Sequence, residues 1–116
     1  MAIAVTTTKN TMATYYGTLG TYIGLATGAP GSTSTPSNED TGGAPAYARI
    51  ATVWGTATAG AITGTACTVN TPANTITYII LASSASGATM IDNASITSVV
   101  MSGQGQIVVT PTYTQT

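Results

Sequence analysis

Short runs of β-forming residues, separated by turn residues at fairly regular intervals, constrain the fold of this chain most. The runs cover residues 22–27, 47–54, 61–70, 75–83, 90–91, 96–101 and 106–113. Several of them alternate apolar and polar side chains, the pattern of a strand with one buried face. The sequence therefore predicts a mainly β fold, an antiparallel β-sandwich or jelly-roll-like domain of seven to eight short strands. The run TITYIILAS, residues 75–83, has the strongest β signal and is the expected central strand.

One short helix is predicted near the N-terminus. Met12, Tyr15, Tyr16 and Leu19 recur at spacings of three and four, which predicts one or two helical turns over about residues 8–17. A threonine is the expected N-cap, and Gly17 is the expected end of the helix.

The chain length of 116 residues fits a single domain with one modest core, residues 1–116. Residues 1–8 are expected to form an N-terminal arm or a first strand, and residues 113–116 an extended C-terminal tail. Four aromatic residues are expected to pack in the core, namely Tyr22, Tyr47, Trp54 and Tyr78.

A long surface loop is predicted at residues 28–46, GAPGSTSTPSNEDTGGAPA. Its glycines, prolines and short polar residues have no helix or strand period. Loops of this length in a small domain are generally either functional or disordered. The loop carries Glu39 and Asp40, and Arg49 follows shortly after it.

Arg49 lies between apolar neighbours in a strand-like run, so its guanidinium must reach water or an acceptor. One interpretation is a tether, in which Glu39 or Asp40 folds back onto Arg49 and fixes the loop to the sheet. The other is an arginine on an edge strand whose charged end extends into water. The residues leave both interpretations open.

Charge is scarce throughout the chain. Charged residues make up 4% of it and the net charge is −1, whereas an average soluble protein has about 25%. A surface this poor in charge predicts a subunit whose neighbours cover it. Two basic residues are too few for nucleic-acid binding, and no apolar run is long enough for a membrane helix.

The residues that usually carry catalysis or bind metals are missing. The chain has no histidine and one cysteine, Cys67, which is expected to be a buried structural thiol. Ser-His, Cys-His and His-metal sites are therefore impossible. Glu39, Asp40 and Asp92 are the carboxylates, and the adjacent pair is the pattern of solvated turn residues. The sequence predicts no enzyme, no catalytic residues, no cofactor and no metal site.

Four segments carry a resemblance to a known class of proteins. They are YIGLATGAPG at 22–31, NEDTGG at 38–43, AYAR at 46–49 followed by Trp54, and YIILASSASG at 78–87. The order Y-x-x-L-x-T, P-G, acid with G-G, and Y-A-R resembles small structural proteins of tailed-phage virions, over residues 22–87.

The resemblance implies a virion component made in the host cytoplasm. The first role that the resemblance implies is that of a capsid decoration (cement) protein on the outer surface of the shell. That protein binds the major capsid protein and copies of itself, as a trimer or a higher oligomer. The alternative is a tail-fibre, minor tail or baseplate component whose 28–46 loop contacts the host surface.

Overall fold

The computed structural model describes residues 2–116, in which one helix is followed by eight strands. Helix α1 spans Thr6–Leu19. The strands are β1 Tyr22–Ala26, β2 Ile50–Ala51, β3 Ala61–Thr63, β4 Cys67–Thr71, β5 Thr75–Ala82, β6 Met90–Val100, β7 Gly105–Val109 and β8 Thr112–Thr114.

All strand pairs are antiparallel, which confirms the predicted mainly β class. A four-stranded sheet has the order β2-β1-β5-β6, and two smaller sheets pair β3 with β8 and β4 with β7. The strongest β run is β5, which lies inside the four-stranded sheet between β1 and β6. Its β-branched and aromatic side chains suit a position with neighbours on both edges.

The main core lies between the four-stranded sheet and the β4-β7 pair. Its buried residues are Ile23, Leu25, Cys67, Val69, Ile76 and Leu81. In β1 and β4 they come from alternate positions, because successive side chains of a strand point to opposite faces, and in β5 a register shift between Ile76 and Tyr78 places Ile76 on the same face as Leu81. Burial raises the pKa of the Cys67 thiol, so this side chain is a protonated core residue.

The opposite face of the four-stranded sheet lies under the 28–46 loop. Ala26, Ile80, Ala82 and Met90 are buried there, and the amide of Met90 donates to the carbonyl of Ser34 at 3.0 Å. The loop therefore lies over the sheet as an ordered layer.

Helix α1 is longer than the sequence predicts. It begins at Thr6, two residues before the expected start, and its N-cap Val5 has no side-chain cap. Gly17 is buried inside the helix and does not end it. A Cβ at position 17 would lie 3.1 Å from both Ile62 and the ring of Trp54, so glycine allows the helix to pack closely on them. Within the described residues, no helix combines the length and apolar character needed to span a bilayer.

Both chain ends differ from the expectations. The predicted C-terminal tail, residues 113–116, begins inside a strand, because Thr112–Thr114 pair with Ala61–Thr63. The ring of Tyr113 stacks on Tyr16 with centroids 3.6 Å apart, which fixes this strand to the helix. The predicted arm or first strand at residues 1–8 forms no strand over residues 2–5, and residues 6–8 belong to α1. Met1 lies outside the described residues.

Five predicted strand runs also have different bounds. The run 61–70 is divided into β3 and β4, which belong to different sheets. The run 47–54 is reduced to β2, Ile50–Ala51, since the preceding residues turn inward with Arg49. The run 106–113 is divided at Pro111 into β7 and β8. The segments 90–91 and 96–101 are joined in one strand, β6, which ends at Val100, because the intervening residues 92–95 pair with residues 78–81 of β5.

Candidate functional site

The centre of the candidate site is a short segment of the loop, residues 38–40, that lies along the edge of β1, where Glu39 forms a β-bridge with Ala26 after the left-handed turn at Asn38 (φ 59°). The amide of Thr27 donates to Asn38 O at 2.9 Å, and the amide of Asp40 donates to Leu25 O at 2.9 Å. Side chains of neighbouring residues in an extended segment point to opposite faces. Glu39 and Asp40 therefore reach two different sets of partners.

Glu39 forms a bidentate ion pair with Arg49. The Arg49 Nε lies 2.8 Å from Oε2 of Glu39, and a terminal nitrogen lies 2.9 Å from Oε1. The side chain of Arg49 is 2% exposed, so it does not extend into water as an edge-strand arginine would.

The remaining donors of Arg49 bind the turn between β5 and β6. They reach the carbonyl of Ser84 at 3.1 Å, the hydroxyl of Thr89 at 3.1 Å and the carbonyl of Gly87 at 2.9 Å. All five N–H donors of the guanidinium are thus satisfied. One side chain joins the 28–46 loop, the segment before β2 and the β5-β6 turn.

Tyr47 completes this cluster. Its hydroxyl donates to Oε2 of Glu39 at 2.7 Å and accepts the amide of Leu25 at 3.1 Å. The hydroxyl fits because Gly24 has no side chain: a Cβ there would lie 2.5 Å from it. We call Gly24, Glu39, Tyr47 and Arg49 the Arg49 cluster.

The Arg49 cluster shifts the pKa of each titratable member. Partial burial would raise the pKa of Glu39, but the hydrogen bonds from Arg49 and Tyr47 and the positive charge of Arg49 together lower it. The hydrogen bond to Glu39 raises the pKa of Arg49, against the effect of burial. Burial first, and then the bond to Glu39, raise the pKa of Tyr47. Glu39 and Arg49 therefore stay charged, and Tyr47 stays neutral, across the ordinary pH range.

Asp40 does not contact Arg49 as the tether interpretation allowed. It is 2% exposed and accepts hydrogen bonds from the Thr71 hydroxyl, from Nδ2 of Asn74 at 2.7 Å and from the amide of Thr41 at 3.0 Å. The carboxylate thus fixes the end of the 38–40 segment to the turn between β4 and β5. The two adjacent acids are partners of buried groups, and the expectation of solvated turn residues is wrong.

The Arg49 cluster and the Asp40 site both hold the loop. Among residues 2–116, every buried side-chain nitrogen or oxygen has a hydrogen-bond partner. In the same part of the chain, no three metal-ligating side chains lie close enough together to hold an ion. The arrangement fixes the 28–46 loop against the sheet from both sides.

The four aromatic residues predicted for the core are half-buried. Tyr47 and Trp54 pack against the main core, and Tyr22 and Tyr78 pack against the face under the loop. The indole nitrogen of Trp54 donates to Gly20 O at 2.8 Å, which fixes the end of α1 to the segment after β2.

A second feature, missed by the sequence reasoning, is an open cleft of about 260 Å³ beside Tyr16. Tyr16, Trp54 and Tyr113 line it, together with Ile79 and Leu81 of β5. The Tyr16 hydroxyl donates to Oδ2 of Asp92 at 2.7 Å at the rim. Burial, and then this hydrogen bond, raise the pKa of Tyr16. The one sequence feature that could have indicated this cleft is Asp92, a single charged residue within a long β-forming segment.

The outer surface is poor in charge and carries several exposed large apolar residues. Within residues 2–116, only Lys9 and Asp92 are charged side chains outside the Arg49 cluster and the Asp40 site. The exposed large apolar residues are Val5, Met12, Tyr15, Leu19, Val53, Ile91, Val100 and Val108. Four of the eight lie on or next to α1. The low charge and these exposed side chains together make a surface that neighbouring molecules could cover without burying charge.

Comparison of the chain with protein-family models, with curated proteins and with solved structures gives no match.

Proposed function

We propose that this chain is a structural protein of a tailed-phage virion, a capsid decoration (cement) protein. In this role it binds the outer shell of the major capsid protein as an oligomer. The proposal rests on one observation, the scarcity of free charge on a surface that also exposes large apolar side chains. The virion setting comes from the resemblance of residues 22–87 to phage structural proteins.

The distribution of charge supports a subunit that works in contact with neighbours. Glu39 and Arg49 neutralise each other, and Asp40 is buried. A small domain relies on net surface charge to stay apart from its copies. This chain has a net charge of −1, so little electrostatic repulsion opposes close packing on a shell.

The fixed loop supports a structural role as well. Residues 28–46 are held to β1 by backbone bonds, to Arg49 through Glu39 and to the β4-β5 turn through Asp40. A loop fixed at several points presents the same surface in every copy. A repeated shell contact requires such a constant surface, since each ordered residue otherwise adds an entropic cost on binding.

One observation favours a tail-fibre, minor tail or baseplate component as a second candidate. The cleft beside Tyr16 combines aromatic walls with Asp92 and Asn93. Aromatic faces and short polar side chains are suited to contact with sugar rings of a host glycan.

Binding to shells assembled from the major capsid protein alone tests the proposal. Recombinant chain is mixed with these shells, and the shells are sedimented and then heated. We expect saturable cosedimentation and a higher temperature of shell disruption than without the chain. Failure to bind the shells contradicts the decoration role. Binding to isolated tails or to host cell envelopes in its place supports the tail role.

A further inference from the structure

The cleft beside Tyr16 carries a carboxylate, Asp92, that has no cationic partner. Asp92 is exposed, and its oxygens accept hydrogen bonds from the Tyr16 hydroxyl at 2.7 Å and from the backbone amide of Asn93 at 2.9 Å. Both donors are neutral groups. In the described part of the chain, the one ion pair lies in the Arg49 cluster. The negative charge of Asp92 is therefore held in place but is not neutralised.

This charge lies beside a cluster of aromatic rings. Tyr113 stacks on Tyr16 with centroids 3.6 Å apart, and Trp54 meets Tyr16 edge-on with centroids 6.3 Å apart. Ile79 and Leu81 extend the apolar lining. Aromatic rings attract cations, and an apolar lining covers the methylene groups of a long basic side chain. The cleft thus combines a negative charge with a surface suited to an apolar stem.

The size of the cleft suits one side chain. Its volume of about 260 Å³ is below the ~300–1,000 Å³ of pockets that hold drug-sized ligands. Lysine and arginine are the side chains that combine an apolar stem with a positive charge. Arginine fits this lining better, because its planar guanidinium stacks on aromatic rings and donates two parallel hydrogen bonds to a carboxylate.

A second copy of this chain does not supply such an arginine. The one arginine of the chain, Arg49, has a side chain that is 2% exposed. The other basic residue, Lys9, lies on α1 seven residues before Tyr16, about 10 Å along the helix. At this distance physiological salt screens most of its repulsion of a cation in the cleft. An arginine in the cleft must come from a different protein.

We propose that the cleft beside Tyr16 binds an arginine side chain of a partner protein, with the guanidinium on Asp92 and the stem against the aromatic rings. The inference deepens the proposed function and rests on it for the partner, which in a decoration role is the major capsid protein. The chemistry of the cleft does not depend on that role. One exposed ion pair adds little affinity, so binding of a single arginine is expected to be weak.

Titration with N-acetyl-arginine methylamide at constant ionic strength tests the inference. N-acetyl-citrulline methylamide is the matched probe, because it has nearly the same shape and no charge. Trp54 lines the cleft and is the one tryptophan of the chain, so its fluorescence reports binding. We expect a saturable change with the arginine probe, with a dissociation constant of about 1–10 mM. We expect none with the citrulline probe, and equal binding of the two probes overturns the inference.

NMR of the isotope-labelled chain locates the probe. This is necessary because Trp54 also lines a second pocket, next to Thr14 and Thr18. We expect the arginine probe to shift the amide signals of Asp92 and Tyr113 and to leave those of Thr14 and Thr18 unchanged. Shifts confined to the second pocket overturn the inference, as does the absence of a saturable response up to about 100 mM probe.

Two variants test the role of the charge. Asp92→Asn keeps an oxygen that can accept from the Tyr16 hydroxyl and removes the charge, so we expect it to bind the arginine probe about fivefold more weakly. Lys9→Gln is the control, because it removes the other charged side chain outside the Arg49 cluster and the Asp40 site. It should bind within about twofold of the unmodified chain. Normal binding by a folded Asp92→Asn chain overturns the inference.

A neutral sugar distinguishes the tail-fibre candidate. Saturable binding of methyl glucoside in the cleft, without binding of the arginine probe, overturns the inference in favour of contact with a glycan. None of these experiments needs a phage particle. Shells that bind a chain unable to bind arginine would contradict this inference alone, and arginine binding by a chain that ignores shells would contradict the decoration role alone.

Discussion

Glu39 and Arg49 are ten residues apart in the chain and form a bidentate ion pair against the face of the four-stranded sheet. Arg49 is almost fully buried, and its other donors bind the β5-β6 turn. A buried pair of this kind adds less to stability than its contacts suggest, because both charges lose their hydration. Its main effect here is to fix where the long loop lies.

Removal of Arg49 is expected to free the loop. Glu39 is the one glutamate of the chain, so a glutamate-specific protease has a single cleavage site in the middle of the loop. We expect Arg49→Ala to be cut at least about tenfold faster than the unmodified chain, since its loop opens at a lower free-energy cost. Lys9→Ala, which removes the other basic residue, is the control. Equal cleavage rates for Arg49→Ala and the unmodified chain would show that the pair does not hold the loop.

Asp40 is expected to matter for stability as a hydrogen-bond acceptor. Asp40→Asn turns an amide group toward donors from Thr71 and Asn74, so at least one buried donor loses its partner. We expect the free energy of unfolding to fall by about 2–3 kcal/mol, measured by urea denaturation. In a double-mutant cycle with Thr71→Val, the double variant should lose clearly less stability than the sum of the losses in the two single variants. Simple additivity would mean that the Thr71–Asp40 contact contributes nothing.

Position 24 is expected to tolerate only glycine, because the Tyr47 hydroxyl occupies the space of a side chain there. Gly24→Ala places a methyl group 2.5 Å from that oxygen, and such overpacking costs about 1–3 kcal/mol. Tyr47→Phe removes this oxygen. The double variant Gly24→Ala/Tyr47→Phe should therefore recover part of the stability that Gly24→Ala loses. Gly103→Ala, at a position with no atoms within 4 Å, is the neutral control. A stable Gly24→Ala chain would contradict the close contact.

Acid is expected to weaken the fold through Glu39. The pKa of Glu39 in the folded chain lies below its ordinary value of 4.5, so the unfolded chain binds the proton more tightly. The stabilisation from Glu39 is therefore complete above pH 4.5 and is lost as the pH falls through the lower, folded pKa. The free energy of unfolding, measured from pH 7 down to about pH 2, should fall less steeply for Glu39→Gln than for the unmodified chain. Parallel curves for the two chains would assign the acid sensitivity to other groups.

The fold class was predictable because strand signals are local. Alternating apolar residues and turn-forming residues mark β1 and β5 closely, as in Thr75–Ala82 against the predicted 75–83. Element lengths were less predictable because they depend on distant contacts. The strand β8 exists because Thr112–Thr114 pair with β3, 49 to 53 residues earlier in the chain.

The site was partly predictable. The sequence named Glu39, Asp40 and Arg49 as a group, because a lone arginine among apolar residues requires an acceptor. It did not determine which acid pairs with Arg49, since that choice depends on which side of the Glu39–Ala26 bridge each side chain occupies. The outward face of α1 was not predictable either. Apolar spacing indicates which residues share a helix face, but not whether that face meets the chain's own core or another molecule.

The central claim is that neighbouring molecules cover the uncharged surface of this chain in a virion. Its most direct test is the copy number of the chain in purified particles, measured by quantitative mass spectrometry against the major capsid protein. The account predicts a copy number comparable to that of the major capsid protein. A few copies per particle, or none, would contradict it.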